Sequence, residues 1–64
     1  SIYAYIVKCR MELARSLLGN NYNVNELSTR LGYRSVSHFI KVFKQHFGYT
    51  PNELMKRENW NSPH

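Results

Sequence analysis

Apolar side chains recur every three or four positions along almost the whole chain, which is typical of amphipathic α-helices. No stretch alternates apolar and polar residues in the way that a half-buried strand does. Turn-forming residues interrupt the pattern at Gly19-Asn20-Asn21, at Gly32 and at Gly48. The pattern therefore predicts an all-α domain over positions 1–58 and a short tail over 59–64. The domain would contain four helices, at positions 2–18, 24–31, 36–47 and 51–57.

Residues that favour helix ends support these boundaries. The last three helices each follow an N-cap side chain that can accept a hydrogen bond from a free amide: Asn23, Ser35 and Thr50. Glu26 stands three residues after Asn23, so a reciprocal capping box is expected there. Pro51 takes the first position of the last helix, where its missing N–H is tolerated. The other three helices are each expected to end at a following glycine or just before one: Gly19, Gly32 and Gly48.

The first predicted helix carries apolar residues on two adjacent faces. One face holds Ile6, Cys9 or Arg10, Leu13 and Leu17, and the other holds Val7, Met11, Ala14 and Leu18. A helix with two apolar faces is expected to have a packing partner on both. Cys9 is the one cysteine and has no partner for a disulfide within the chain. We interpret it as a small apolar residue that is buried in this helix.

The third predicted helix separates aromatic and basic residues onto opposite faces. At 100° per residue, one face collects the apolar residues that predict a buried stripe: Val36, Phe39, Ile40, Phe43 and Phe47. The opposite face is polar and basic, with Ser37, His38, Lys41, Lys44 and Gln45. No acidic residue occurs between Glu26 and Glu53, whereas a helix that only faces water usually carries mixed charge. The polar face suits phosphates or base edges, and an ordinary solvated face is the alternative.

Composition narrows the range of partners. The chain has 64 residues, a formal net charge of +5 and a pI of about 9.7, so we expect one small domain that favours anions. Nucleic acid and acidic membrane are the candidate anions, while charge that serves only solubility is the alternative. No apolar run approaches the ~20 residues of a membrane span. A lone cysteine fits a reducing compartment, and we expect a cytoplasmic protein.

The order of the middle elements suggests how the basic face is used. A short helix, a turn at Gly32 and a second helix with a polar basic face make the arrangement of a helix-turn-helix. In that arrangement the second helix places its N-terminal half in the major groove of DNA. Base-reading side chains are therefore expected near the start of the helix at 36–47: Ser37, His38 and Lys41. Lys44 and Gln45 follow one turn later and are expected to meet phosphates.

Two segments, YIVKCRMELARSLL and VNELSTRLGYRSVSHFIKVFKQHFGYTP, resemble the second helix-turn-helix of the AraC/XylS transcription regulators. The family's spacing is kept from about position 1 to position 56, at Tyr5, Arg10, Met11, Ala14, Leu17, Leu18, Leu27, Leu31, Gly32, Tyr33, Ser37, Phe39, Lys41, Phe43, Lys44, Gly48, Thr50 and Pro51. In that family a long linker helix joins two helix-turn-helix units. The resemblance implies that 2–18 is this linker helix, with the first unit and any effector domain upstream.

The resemblance also implies roles for single residues. Family regulators contact bases through positions that match Val36, Ser37, His38 and Lys41, and Val36 would offer an apolar contact to a thymine methyl. The expected phosphate contacts are Arg34, Lys44, Gln45 and Asn52. Double-stranded DNA is the expected partner, and family activators are expected to touch RNA polymerase as well. Three positions depart from the usual family residues: Ser28, Ile40 and Val42.

Other classes of function find little support in the sequence. His38 and His46 are eight residues apart on one helix, about 12 Å along its axis, which is too far to share a metal ion. No paired carboxylates, glycine-rich loop or nucleophile–histidine arrangement indicates an enzyme or a cofactor. The main alternative is a helix-turn-helix that docks on RNA polymerase or another protein. A membrane-surface peptide is disfavoured, because capping residues and an aromatic core suit globular packing.

Overall fold

The computed structural model describes residues 1–61, with side chains through Arg57. In this range the chain forms four helices and no strand: α1 (Ile2–Leu18), α2 (Val24–Arg30), α3 (Val36–Phe47) and α4 (Pro51–Asn61). The prediction of an all-α fold is confirmed. Helix α3 contacts each of the other three helices, so the helix that carries the basic face is also the centre of the fold.

Two helix ends differ from the predicted boundaries. α2 ends at Arg30 rather than at position 31, because Leu31 already serves as its C-cap; shifts of one residue are common at helix ends. α4 continues through Asn61 rather than ending at 57, so the predicted tail was wrong for positions 59–61. No glycine or proline follows Pro51 before Pro63, so nothing in this segment stops the helix. Positions 62–64 of the predicted tail lie outside the described residues.

The predicted N-caps of α2 and α4 differ in how completely they form. Asn23 Oδ1 accepts a hydrogen bond from the Glu26 amide at 2.8 Å, but within the described residues the Glu26 side chain gives no return bond. The full reciprocal box forms instead at α4. There the Glu53 amide donates to Thr50 Oγ1 at 3.1 Å, and the Thr50 amide donates to Glu53 Oε1 at 3.0 Å. At both helices the N-cap side chain accepts a hydrogen bond from an amide that the first helical turn leaves free.

The three predicted turns use their glycines differently. Gly32 and Gly48 have φ of +86° and take the left-handed conformation, which side chains with a Cβ rarely adopt. Gly19 is the C-cap of α1 but has φ of −87°, in the right-handed region. The left-handed residue of that turn is Asn21, with φ of 71°. Asparagine is among the few non-glycine residues that tolerate this conformation, so Gly19 does not need its glycine freedom.

The core lies where α1, α2 and α3 meet. Its buried hydrophobic residues are Met11, Ala14, Leu18, Leu27, Phe39 and Phe43. Ser28, which replaces a small apolar residue of the family pattern, is also buried, and its hydroxyl donates to the Asn25 carbonyl at 2.9 Å. A buried hydroxyl with a hydrogen-bond partner carries little penalty, so the substitution is compatible with close helix packing.

Helix α1 buries one of its two apolar faces and leaves most of the other exposed, although Leu17 of that second face is half-buried against the core. Ile2, Tyr5, Ile6 and Leu13 keep 80%, 65%, 43% and 49% of their surface accessible. The expectation of a partner on both faces is therefore not met within the described residues. Cys9 is exposed, so its interpretation as a buried residue was wrong. It lies two positions before buried Met11, which turns it about 200° around the helix axis and away from the core.

Candidate nucleic-acid interface

The turn between α2 and α3 is held by backbone hydrogen bonds. The Gly32 amide donates to the Thr29 carbonyl at 3.1 Å, and the Tyr33 amide donates to the Ser28 carbonyl at 2.9 Å. The left-handed Gly32 reverses the chain at this point. α2, this turn and α3 therefore form the helix-turn-helix that the sequence predicts, and the turn sets the direction in which α3 leaves.

Burial on one side of α3 sets its rotation. Phe39 and Phe43 have no accessible surface, and Phe47 and Ile40 are half-buried beside them. The opposite side is exposed and carries the predicted polar residues: Ser37, His38, Lys41, Lys44 and Gln45. Val36 is half-buried in the first turn, and Val42 packs against the core rather than standing free. The aromatic residues thus present the basic face to solvent as one continuous surface.

The first turn of α3 is capped by Ser35. Its Oγ accepts a hydrogen bond from the His38 amide at 3.1 Å, while its backbone is extended at φ of −143°. This bond orders the turn that holds Val36, Ser37 and His38. Three of the four predicted base contacts therefore depend on one cap for their position.

We expect Ser35→Ala to lower the free energy of unfolding by about 1 kcal/mol, because one amide of the first turn loses its acceptor. Urea denaturation followed by circular dichroism measures the change. Ser37→Ala is the matched control, since Ser37 is an exposed serine of the same turn and does not cap the helix. Equal stability losses in the two variants would contradict the role of the cap.

The predicted phosphate contacts lie on three elements. Arg34 is exposed in the turn before α3, Lys44 and Gln45 are exposed on α3, and Asn52 is exposed in the first turn of α4. The carboxylate of Glu53 lies next to Asn52 in sequence. The hydrogen bond that it accepts from the Thr50 amide, together with the Thr50 hydroxyl, lowers the pKa of this carboxyl. It therefore remains ionised near neutral pH, and its negative charge repels a phosphate at the start of α4.

Three arginines outside the set of predicted DNA contacts lie over aromatic rings. The Arg10 guanidinium carbon is 5.9 Å from the Tyr33 ring centroid, and that of Arg15 is 4.5 Å from the Phe47 ring centroid. Arg30 similarly lies 5.4 Å from the ring centroid of Tyr22. Tyr33 and Arg10 matched the family spacing, but spacing carries no sign that α1 meets the turn at this point. These contacts place two positive charges of α1 and one of α2 over aromatic rings of the fold.

Neither a metal-binding cluster nor a membrane-spanning helix occurs among the described residues. No group of three or more His, Cys, Asp or Glu residues in the described part of the chain is arranged to hold a metal ion. None of the described helices has the length and apolar character needed to cross a membrane.

Comparison with known proteins agrees with this geometry. Residues 1–57 match a protein family described as "Helix-turn-helix domain". The chain is 37% identical over 51 residues to the transcriptional activator AggR of Escherichia coli, a match that covers 78% of this chain and 19% of that protein. It is 39% identical over 50 residues to the HTH-type transcriptional activator CsvR of Escherichia coli, covering 77% and 19%.

A third relative is the HTH-type transcriptional regulator GadX of Escherichia coli strain K12. The chain is 36% identical to it over 53 residues, which cover 81% of this chain and 19% of GadX. No solved structure matches the chain. The chain thus spans about a fifth of the length of these relatives. The family match over nearly all of the described residues, together with the turn at Gly32, shows that this chain belongs to the AraC-type helix-turn-helix transcription regulators.

Proposed function

We propose that this chain binds duplex DNA in a sequence-specific manner, with α3 as its recognition helix. The observation that carries this proposal is the exposed face of α3, which is basic, free of acidic residues and held outward by buried Phe39 and Phe43. A helix presented in this way has the width and the hydrogen-bond donors that the major groove accepts.

In the proposed complex, the first half of α3 reads base edges. Ser37, His38 and Lys41 are exposed on its polar side and carry hydrogen-bonding groups. Lys41 can donate to the O6 and N7 acceptors of guanine, and Ser37 and His38 can donate or accept. Val36 keeps part of its surface accessible and offers methyl groups to a thymine. These four side chains fit the N-terminal approach that helix-turn-helix proteins use.

Phosphate contacts supply most of the affinity in this proposal. Arg34 precedes α3 and Lys44 lies in its second half, so the two cations flank the base-reading residues. Gln45 and Asn52 add neutral donors. Because Glu53 is ionised beside Asn52, we assign the larger share of the affinity to Arg34 and Lys44.

The chain would act as one part of a longer regulator. Its relatives are named transcriptional activators and regulators, and the match covers about a fifth of each. We propose that α1 is the linker helix and that another helix-turn-helix lies upstream of it, so that this chain supplies one of two contacts with DNA. Two linked contacts would bind far more tightly than either alone.

Selection from a library of random duplexes tests the proposal. We expect the purified chain to enrich related sequences, and its binding constant to fall as salt rises from about 50 to about 200 mM. Two neutralised phosphates, at Arg34 and Lys44, correspond to a log–log slope of about −1.8 or steeper. Failure to enrich any sequence would overturn sequence-specific binding by this chain.

Docking on RNA polymerase is the second candidate, and the exposed apolar face of α1 is the observation that favours it. Ile2, Tyr5, Ile6 and Leu13 form a surface that a DNA contact through α3 does not use. This alternative predicts that polymerase is retained by the chain and that duplex binding responds little to salt. That combination would exclude DNA as the primary partner.

Lys44→Ala is expected to weaken binding to every duplex by a similar factor and to make the log–log salt slope shallower by about 0.9. The reason is that a phosphate contact releases a counterion and carries no information about sequence. Lys8→Ala removes an exposed lysine of α1 outside the proposed contacts and serves as the control. A change of affinity for one sequence alone, with the slope unaltered, would instead make Lys44 a base-reading residue.

A further inference from the structure

Tyr33 lies between the linker helix α1 and the recognition helix α3. On the α1 side, the Arg10 guanidinium carbon lies 5.9 Å from the centroid of its ring. On the α3 side, the Tyr33 ring meets the His38 imidazole at a centroid distance of 5.4 Å and an interplanar angle of 75°. It also contacts the buried Phe39 ring at 5.6 Å. One side chain thus connects the core, α1 and a proposed base-reading residue.

Backbone and core contacts hold the Tyr33 ring in place. Its amide donates to the Ser28 carbonyl at 2.9 Å, and the preceding Gly32 has the left-handed φ that closes the turn. Phe39, which has no accessible surface, supports the ring from the core. A ring held by its backbone and by a buried neighbour can orient an exposed side chain that packs against it.

His38 has the opposite character, because its side chain is exposed. An exposed imidazole without a fixed neighbour would exchange among its rotamers and would lose that freedom on binding a base. The perpendicular contact with Tyr33 is one of the arrangements that aromatic rings prefer. It therefore favours one orientation of the imidazole before DNA arrives.

The Tyr33 hydroxyl takes no visible part in this arrangement. Its oxygen is buried and has no hydrogen-bond partner within the described part of the chain. Whatever Tyr33 contributes to His38 comes from the ring, and removal of an unpartnered hydroxyl should cost little. Two substitutions therefore distinguish the ring from the hydroxyl: Tyr33→Phe keeps the ring, while Tyr33→Leu removes it.

We propose that Tyr33 is a positioning residue that orients the His38 imidazole for base recognition, with Arg10 packed over the Tyr33 ring from α1. The proposal rests on the proposed function, because it requires that His38 contact a base. In this proposal the linker helix α1 contributes to base recognition through the contact between Arg10 and Tyr33. It does not need to contact DNA itself.

NMR spectroscopy of the free chain tests the contact without DNA. In the wild type we expect nuclear Overhauser effects between Tyr33 and His38 ring protons, and side-chain couplings that show one dominant χ1 rotamer for His38. Tyr33→Phe should preserve the rotamer, and Tyr33→Leu should lose it. A His38 side chain that averages over its rotamers in the wild type would overturn the proposal, even if Tyr33→Leu failed to fold.

Binding of the selected duplex and its single-base variants tests the consequence. We expect His38→Ala and Tyr33→Leu each to reduce discrimination at the same base pair, Tyr33→Leu by about three- to tenfold, as the strength of such ring pairs implies. Because both act through one side chain, Tyr33→Leu should have no further effect on discrimination in the His38→Ala background. Tyr33→Phe should discriminate among these duplexes as the wild type does.

Tyr49→Leu is the matched control. Tyr49 is also half-buried, and it packs on Phe43 and Phe47 at the far end of α3. It should lower stability without altering discrimination at the His38 base pair. A Tyr33→Leu variant that leaves discrimination at the His38 base pair unchanged, as expected for Tyr49→Leu, would overturn the positioning role while leaving DNA binding intact. Absence of duplex binding by the wild type would instead overturn the proposed function, and the positioning role with it.

Discussion

Replacing Phe43 with alanine is expected to leave most of the chain unfolded even without denaturant. Phe43 has no accessible surface and lies within 6.0 Å, between ring centroids, of Phe39, Phe47 and Tyr49. Its truncation should cost about 3–5 kcal/mol, through lost burial and the cavity left behind. A chain of 64 residues has a total stability of only a few kcal/mol, so this loss consumes nearly all of it. Circular dichroism at 222 nm measures the loss of helix.

Phe47→Ala is the matched control for Phe43→Ala. Both are phenylalanines of α3 that belong to the same aromatic cluster, but Phe47 is only half-buried. Its truncation should therefore cost less and leave a cooperative urea transition. Phe43→Leu refills much of the lost volume and should also remain folded. If Phe43→Ala unfolded at the same urea concentration as the wild type, burial of Phe43 would not be what orients the basic face of α3.

The helices most accurately predicted from the sequence are those whose signals are local. Helix α3 begins and ends where expected, because Ser35 caps its first turn and Gly48 takes the left-handed conformation after its last. Phe39 and Phe43 recur at the spacing of one helical turn, which requires no knowledge of the rest of the chain. Capping and periodicity act within a few residues, and the sequence displays them directly.

What each surface packs against could not be predicted in the same way. The apolar residues of α1 indicate two faces, but their spacing does not say which face finds a partner. The structure buries Met11 and leaves Leu13 and Cys9 exposed. The same limit applied to the first turn, where Asn21 rather than Gly19 takes the left-handed conformation. Both outcomes depend on how α1 meets its neighbours and on the course of the whole turn.

In the candidate site, too, the features set by local helix geometry could be predicted, and the contacts between distant segments could not. Exposure of Ser37, His38 and Lys41 follows from burial of the phenylalanines on the opposite face, so it could be read from helical geometry. The contact from Arg10 to Tyr33 could not, since it joins α1 to a turn distant in sequence. Which base or phosphate each exposed side chain meets stays a prediction, because it depends on a partner whose structure the sequence does not contain.

Lys41→Ala is expected to lower the affinity for the selected duplex by about 1–3 kcal/mol and to relax discrimination at one base pair. Lys41 is exposed in the second turn of α3, on the side that carries Ser37. In the proposed complex, a lysine at this position would reach the acceptors of a guanine edge in the major groove. Binding to the selected duplex, to its variants at each base pair and to an unrelated duplex at one fixed salt concentration measures both effects.

Lys44→Ala provides the contrast that makes this result decisive. The two lysines are three positions apart on one helix, both are exposed, and their removal changes the net charge equally. Lys44→Ala should weaken selected and unrelated duplexes alike, whereas Lys41→Ala should weaken chiefly the selected one. If Lys41→Ala weakened both equally, Lys41 would be a phosphate contact. Base reading would then lie nearer the start of α3, at Val36, Ser37 and His38, where the Ser35 cap orders the helix.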